Sequence, residues 1–307
     1  MTDPSATPSG ATSLRPFGAT PARPSGEAPP RFAAVAAVND EESLARNLAR
    51  SPMIASGAVP LRVERGAPSA AAAYNRGIAA TDAPVLLLVH QDVYFPEGFE
   101  DRLAAAIAAV EARDPLWGVI GAYGVDADGA GHGRLWSSSV GGLMGRPADP
   151  PVPVESLDEL LLVMRRGAGL LFDEDPPLWH LYGTDIVQAA RAAGAGAWAA
   201  DLPLVHNDGF HGRLGPDFAA GYHHVRRKWR RRLPIRTPVV RVDRWGLGLP
   251  IYRLRAARSY ARREAMALDT AADPRLYAAR CGWEDPGGAA DPPEAARRPA
   301  APPEETP

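Results

Sequence analysis

The chain is short of several things, and each shortage removes a class of explanation. One cysteine, Cys281, stands among 307 residues. It cannot close an intramolecular disulfide, so the sequence gives no sign of an oxidising compartment. Long apolar runs are missing, since those around 85 to 89 and 160 to 164 are far too short to cross a bilayer. The first residues hold no continuous apolar stretch of the signal-peptide kind. Excess charge is missing as well, and a formal net charge of -2 argues against bulk attraction to polyanions such as nucleic acid. No internal repeat and no H-E-x-x-H pair occurs, which weakens a metal-hydrolase reading. The expectation is a cytoplasmic protein, at most peripheral at the inner face of the membrane.

What is present is enough apolar material, 46% of residues, for one large or two small globular domains. Proline is plentiful but uneven. Residues 1–31 and 284–307 are rich in Pro, Ala, Gly, Ser and charge, with too few large apolar residues to offset chain entropy. Both are expected to be disordered tails.

Between them strands and helices alternate. RFAAVAAVND (31–40) reads as a strand closed by polar residues, with a helix carrying Leu44 and Leu48 behind it. VPLRVER (59–65) alternates like a second strand, and Ser69 is placed to cap a helix over AAAAYNRGIAAT. LLLVHQDVYF (86–95) is a buried strand that ends abruptly in an imidazole, an amide and a carboxylate, groups that are costly to bury unless something satisfies them. Phe99, Leu103, Ile107 and Val110 mark one face of a helix from about Glu97 to Arg113, and WGVIGAYGV returns as a strand. Such alternation argues for an α/β domain with a largely parallel sheet, and such sheets bind ligands at the carboxyl ends of their strands. Asn39 and Asp40 end the first strand, His90 and Asp92 the third.

Residues 124–153 read as long loops around one short strand near Leu135 to Val140, and 156–166 as either an edge strand or a short helix. HLYGTDIVQAARAAG (180–194) is a helix with Thr184 or Asp185 as its cap and Gly194 as its stop. AWAADLPLVHND is a last strand ending in His206.

RFAAVAAVNDEESLARNL, AYNRGIA, VLLLVHQDVYFPEGF, WGVIGAYGV, SLDELLLVMRR, LYGTDI and LPLVHND, in this order and spacing, resemble the family 2 glycosyltransferases of the GT-A fold. They look most like the bacterial branch of sugar transferases associated with capsule and other surface polysaccharides. The resemblance covers about 32–235. It implies a Rossmann-like, mixed and largely parallel sheet flanked by helices over 32–235; beyond it the helical-looking and strongly basic IYRLRAARSYARREAMAL marks a basic helical C-terminal extension over 236–283.

The resemblance also implies chemistry. A nucleotide-diphosphate sugar is the donor co-substrate, and a divalent metal, Mn2+ or Mg2+, held by a D-x-D motif neutralises the departing diphosphate. Here that motif reads His90-Gln91-Asp92, its first carboxylate replaced by an imidazole, which shifts preference toward Mn2+ or softer ions. His206 lies where some relatives supply another metal ligand. Asp185 takes the place of the base for the acceptor hydroxyl in an inverting transfer, or it only caps its helix. Asn39, Asp40, Glu42 and Asn75, with Arg65 nearby and Asp92 at the diphosphate, correspond to nucleotide contacts, while Asp40 is equally readable as an N-cap. Asp158 and Glu159 fall where relatives meet acceptor or donor sugar, and Trp179 and Tyr182 offer faces on which an acceptor sugar would stack. Their alternatives are solvated acids and core aromatics.

The processive family motif Q-x-x-R-W is not matched by QAARA at 188–192, which favours single transfer to a glycan or lipid-linked acceptor over polymerisation. Arg226, Arg227, Lys228, Arg230, Arg231 and Arg232 around Trp229 suit anionic lipid headgroups, nucleic acid or a solvated helix face, and His223 and His224 a lid over the diphosphate. The departures from the family pattern keep a second reading open, a GT-A-like protein that binds nucleotide sugar or glycan without turnover.

Overall fold

The structure, a computed structural model, describes residues 30–285 except 211 and 213. The expected tails therefore lie outside the described residues, save for residues 30, 31, 284 and 285. At that boundary Glu284 accepts a hydrogen bond from the Tyr94 hydroxyl at 2.9 Å, so the ordered chain runs slightly further than its composition suggested.

In chain order, β1 (Phe32–Val38) is buried along nearly its whole length. It leads into α1 (Glu41–Arg46), where Asp40 accepts from the backbone N–H groups of Glu42 and Ser43. The short α2 (Pro52–Ala55) and β2 (Leu61–Arg65) follow. In α3 (Ala70–Ala79) the Ser69 hydroxyl caps the Ala72 N–H at 3.1 Å, as the sequence predicts. β3 (Val85–His90) and β4 (Val93–Tyr94) flank the polar triplet, and α4 (Phe99–Glu111) buries Phe99, Leu103, Ile107 and Val110, the expected stripe. Next come β5 (Val119–Gly121), β6 (Tyr123–Val125), β7 (Gly131–Ser137), β8 (Gly142–Arg146), β9 (Val152–Pro153), β10 (Ser156–Leu157) and β11 (Leu161–Arg165). The last third holds α5 (Tyr182–Ala192), β12 (Ala197–Ala199), β13 (Leu204–His206), α6 (Pro216–Lys228), β14 (Ile235–Arg236), β15 (Arg241–Val242), α7 (Gly248–Arg258), α8 (Tyr260–Met266) and α9 (Pro274–Arg280).

The main sheet has seven strands in the order β2-β1-β3-β11-β5-β12-β9. β1 runs parallel to β2 and β3, and β5 parallel to β12, while β11 lies antiparallel between β3 and β5 and β9 antiparallel to β12. Five strands thus point one way and two the other, the mixed α/β class read from the sequence. Both faces are covered, which is why β1, β3 and β11 are near-continuous apolar runs. Ala34, Ala36, Leu87 and Val89 pack with α4 residues on one face, and Ala33, Val35, Leu86 and Leu88 pack with α3 and α5 residues on the other.

Three local expectations need correction. Residues 124–153 are not loops around one strand. They contribute β6, β7, β8 and β9, and a second sheet orders β10-β6-β7-β13-β4 with β8 beside β7. β6 continues the expected strand WGVIGAYGV and the end of β7 overlaps the one expected near Leu135, while glycine hid β8 and the start of β7. Glycine is depleted in strands generally, yet it is required here because a Cβ on Gly133 would sit 1.9 Å from the Ala122 carbonyl oxygen. The undecided 156–166 stretch is strand, and β11 is central rather than at an edge. Neither Thr184 nor Asp185 caps α5, because the helix begins at Tyr182 behind Leu181, whose φ is +64°.

Gly77 is where α3 meets the sheet, since an added Cβ would lie 2.1 Å from Val35 Cγ1. Alanine there gains about 1 kcal/mol of helix propensity but overpacks a full interface at a cost of about 1–3 kcal/mol. Gly77→Ala is therefore expected to lower unfolding free energy in urea titration, and adding Val35→Ala to recover part of the loss. Additive losses in the double variant would refute this packing account.

Candidate functional site

The carboxyl ends of the strands meet the second sheet at a cavity of about 390 Å³, lined among others by His90, Asp92, Asp158, Glu159, His206 and Asp208. His90 is the last residue of β3 and Asp92 follows in the turn into β4. β13 pairs antiparallel with β4, matching His206 to Val93 and so setting a second imidazole against the Asp92 carboxylate. β11 pairs antiparallel with β3, and the His90 N–H donates to the Leu160 carbonyl, which brings the preceding acids Asp158 and Glu159 alongside.

At the floor, His206 Nε2 lies 3.4 Å and His90 Nδ1 3.9 Å from Asp92 Oδ1. The ligand atoms of His90, Asp92 and His206 all fall within 4.8 Å of one another. Asp92 Oδ1 and His206 Nε2 are buried without a hydrogen-bond partner in the protein. Orphaned atoms of this kind are costly, and a cation between them would satisfy both. An imidazole, a carboxylate and a second imidazole form a donor set that suits Mn2+ and related divalent ions, so the residues fit the metal the resemblance implies.

Surrounding groups orient the three side chains. Asp208 Oδ2 faces His206 Nδ1 at 3.7 Å, and its Oδ1 accepts from the Ser137 and Ser138 hydroxyls and the Ser139 N–H. His90 Nε2 meets the Tyr182 hydroxyl at 2.8 Å, and that hydroxyl also reaches the Glu159 carbonyl at 3.4 Å. Tyr182 then donates to the carbonyl and accepts from Nε2–H, which leaves the Nδ1 lone pair directed toward Asp92.

The electrostatics express a demand for positive charge. Burial alone would push His206 down, but Asp208 and Asp92 outweigh it and raise its pKa to about 10. Burial opposes ionisation of Asp92, yet the His206 charge holds its carboxyl below the usual range. For His90 burial wins over Asp92, and its imidazole stays neutral. Glu159 is pushed up to about 8 by burial, against the N–H of Gly183 that its carboxylate accepts at 3.0 Å.

The other expected residues divide. Asn39 and Asp40 sit beside Gln91, whose carbonyl oxygen accepts from both their N–H groups and whose amide donates to Asn39 Oδ1 at 2.7 Å. Gln91, passed over in the sequence, ties the end of β1 to the end of β3. The Asp40 carboxylate is engaged as the N-cap of α1, Glu42 pairs with Arg46 at 2.8 Å, and Arg65 pairs with Glu41. Asn75 is structural, exchanging hydrogen bonds with the Phe172 backbone and donating to Glu174.

Asp185 does not line the cavity. Its carboxylate accepts from Lys228 Nζ at 2.8 Å and Trp229 Nε1 at 2.6 Å. Consecutive helical residues lie about 100° apart, so when Thr184 faces the cavity Asp185 turns away. Tyr182 is not a stacking platform, being packed against Tyr74 and Phe172, and Trp179 lies outside the cavity wall, where His180 takes its place. His224 is buried beside Asp173 at 3.7 Å and His223 faces a different groove, so neither covers the cavity. Asp173, Asp185 and His224 form a second group with ligand spacing, but Lys228 already bridges its two acids.

Asp208, Ser137 and Ser139 escaped the sequence reading, although Asp208 follows His206 by the two-residue period of an extended chain. Arg263 on α8 also lines the wall, and nothing local in the sequence linked it to the strand ends.

No protein-family model matches the chain. A stretch of 154 residues is 35% identical to the protein called ATP synthase subunits region ORF 6 of Fuscovulum blasticum, covering 47% of this chain; the chain spans only 60% of that relative's length. Among solved structures the chain is similar to the mannosyltransferase PcManGT from Pyrobaculum calidifontis in complex with GDP-Man and Mn2+, with a TM-score of 0.39, 16% identity and coverage of 85% of this chain and 79% of that one. It is also similar to S. aureus TarS 1-349, with a TM-score of 0.33, 13% identity and coverage of 56% and 60%. With identities and TM-scores this low, function is argued from the residues of the site.

The Glu159 pKa gives a signed expectation. Between its ordinary value of 4.5 and about 8 the folded protein holds a proton there that the unfolded chain has lost. That contribution to stability is complete below the lower value and disappears as pH rises through the upper one. Glu159→Gln keeps an acceptor for Gly183 and removes the titration. Urea unfolding across this window should show the wild type losing stability relative to the variant, by on the order of 1–3 kcal/mol after solvent screening. Parallel pH profiles would contradict the assignment.

Proposed function

We propose that the chain is a metal-assisted glycosyltransferase that moves a sugar from a nucleoside diphosphate sugar to a glycan or lipid-linked acceptor in a single inverting transfer. The observation that carries this reading is the trio His90, Asp92 and His206, whose ligand atoms lie within 4.8 Å of one another and of which Asp92 Oδ1 and His206 Nε2 are buried without a hydrogen-bond partner. A divalent cation held there would stabilise the negative charge that develops on the leaving diphosphate. Asn39 and Asp40, clasped by Gln91 at the neighbouring strand end, are assigned to the nucleoside side, through backbone groups and the Asn39 side chain rather than the capping carboxylate of Asp40.

The base is reassigned. Asp92 serves the cation, Asp208 holds His206, and Glu159 is largely protonated at neutral pH and so donates a hydrogen bond instead of accepting a proton. Asp158 remains in the cavity, with Oδ1 accepting from the Leu160 N–H at 3.2 Å. It takes the acceptor's hydroxyl proton as that oxygen attacks the anomeric carbon opposite the diphosphate. The locking of Asp185 by Lys228 and Trp229 is the observation that favours the alternative, a protein that binds nucleotide sugar without turnover.

Calorimetry with UDP and GDP, with and without Mn2+, separates these readings. One nucleotide is expected to bind only with Mn2+, and Asp92→Asn to abolish that binding. Asp208→Asn, which removes the charge facing His206 Nδ1 but none of the three candidate ligands, should weaken Mn2+ affinity about 10–100-fold. Nucleotide binding that ignores both Mn2+ and Asp92→Asn would sink the metal-diphosphate assignment. Asp158→Asn should keep donor binding and lose at least about 100-fold in transfer to an acceptor. Full transfer by that variant would reject the reassigned base, and donor binding with no transfer by any form would move the reading to the binding protein.

A further inference from the structure

Five of the eight exposed large apolar side chains among the described residues, Val239, Trp245, Leu247, Ile251 and Leu254, fall in one short stretch. Trp245 is 78% and Leu247 56% exposed. Val239, Trp245, Leu247 and Ile251 line a single groove with Tyr252, and Leu254 follows Ile251 by one helical step on the outer side of α7. The inner side of that helix is occupied by Leu249 and Ala256, which are buried. α7 is therefore apolar on two sides, one of which faces water.

Basic residues border this apolar surface. Between 223 and 258 stand twelve Lys and Arg against one acid, Asp243, in a chain of net charge -2. Asp243 is turned inward, where its carboxylate accepts from the N–H groups of Trp245, Leu247 and Gly248. His223, Arg226, Arg227, Arg230, Arg231 and Arg244 line an adjoining groove. Arg226 donates to the carbonyls of Asp243 and Arg244, so the turn that presents Trp245 is anchored to the basic helix α6.

We propose that this combined face docks onto a bilayer containing anionic lipid, with Trp245, Leu247, Ile251 and Leu254 entering the headgroup region and Arg227, Arg230, Arg231 and Arg244 meeting the phosphates. Apolar insertion flanked by cationic side chains is the chemistry of interfacial binding. An Arg and aromatic surface for nucleic acid would not need four exposed aliphatic side chains, two of them on the outer side of α7. The face is also continuous with the reaction cavity, because Val239 and Tyr252 line both the apolar groove and that cavity. An acceptor carried on a lipid would thus enter without leaving the membrane surface. This last point deepens the glycosyltransferase reading and rests on it, whereas the docking itself does not.

The test is co-sedimentation of the full chain, without nucleotide, with vesicles of phosphatidylcholine alone or with roughly one-third phosphatidylglycerol. Wild type is expected to bind the anionic vesicles at low salt and to be released by high salt. Arg230→Gln with Arg231→Gln should weaken that binding about 30-fold. Trp245→Ser with Leu247→Ser, on exposed positions that leave the core intact, should weaken binding and leave its salt dependence in place. Wild type that stays in the supernatant at low salt overturns the proposal, as does binding that neither pair of substitutions changes. Retention of single-stranded RNA with no vesicle binding overturns it in favour of a nucleic-acid surface, and a dimer that Trp245→Ser dissociates, with no vesicle binding, in favour of a second copy. Because nucleotide is absent, failure here leaves the donor-binding assignment untouched.

Discussion

The site depends on how β3 is held. It is paired on one side by β1, parallel, and on the other by β11, antiparallel, and is buried from Val85 to Val89. A strand so enclosed has no freedom to slip, because moving the register by one residue would exchange the two apolar faces. His90 is consequently fixed as the first residue to leave the core, with Asp92 beyond it. The same pairings import the partners: β1 ends beside Gln91, and the chain entering β11 delivers Asp158 and Glu159. His206 and Asp208 come from elsewhere, and β13 brings them by pairing with β4. The polar groups gather at one point as a consequence of backbone hydrogen bonding in the two sheets.

The sheet was legible where periodicity and length agree. β1, β3 and α4 are long, strongly patterned and bounded by polar or breaking residues, and each lies within a residue or two of its expected place. Legibility failed where composition masks conformation. The glycine-rich strands β7 and β8 carry few of the residues that mark strands, and their glycines answer to close backbone approach across the sheet, which no local pattern records. The site was legible along the chain but less so across it. His90, Asp92 and His206 announce themselves as polar residues ending apolar strands. Asp185 misled because its position in the motif says nothing of which way a helix is turned, and Leu181 sets that rotation with a positive φ rare outside glycine. Arg263 and Asp208 required knowledge of which distant segments meet.

The cavity floor is built in two tiers. The inner tier, His90, Asp92 and His206, leaves buried atoms unsatisfied within the protein. The outer tier, Tyr182 and Asp208 with its serines, is held by hydrogen bonds within the protein. This division has a physical logic. An inner group that paired well with its neighbours would have to break those bonds to take a ligand, whereas an outer group that did not would let the inner side chains rotate. The raised His206 pKa expresses the same design, since the carboxylates around the ring stabilise a proton there for the reason they would stabilise a metal ion.

Asp185 connects this cavity to the outer face. In accepting from Lys228 and Trp229 it forms a buried, charge-assisted clasp between the start of α5 and the end of α6. α5 presents Thr184 to the cavity one residue earlier, while α6 presents Arg227, and the residues just beyond it present Arg230 and Arg231, to the basic groove. A clasp at this joint sets the orientation of one surface by the other. Removing a partner from a buried charge pair leaves an uncompensated charge, so breaking this joint is costly. A carboxylate that the motif offers as a base is thereby committed to holding the helix that carries the basic groove, whereas Asp158, the proposed base, lines the cavity. The cavity wall at Thr184 and the charge on α6 are thus joined through one carboxylate.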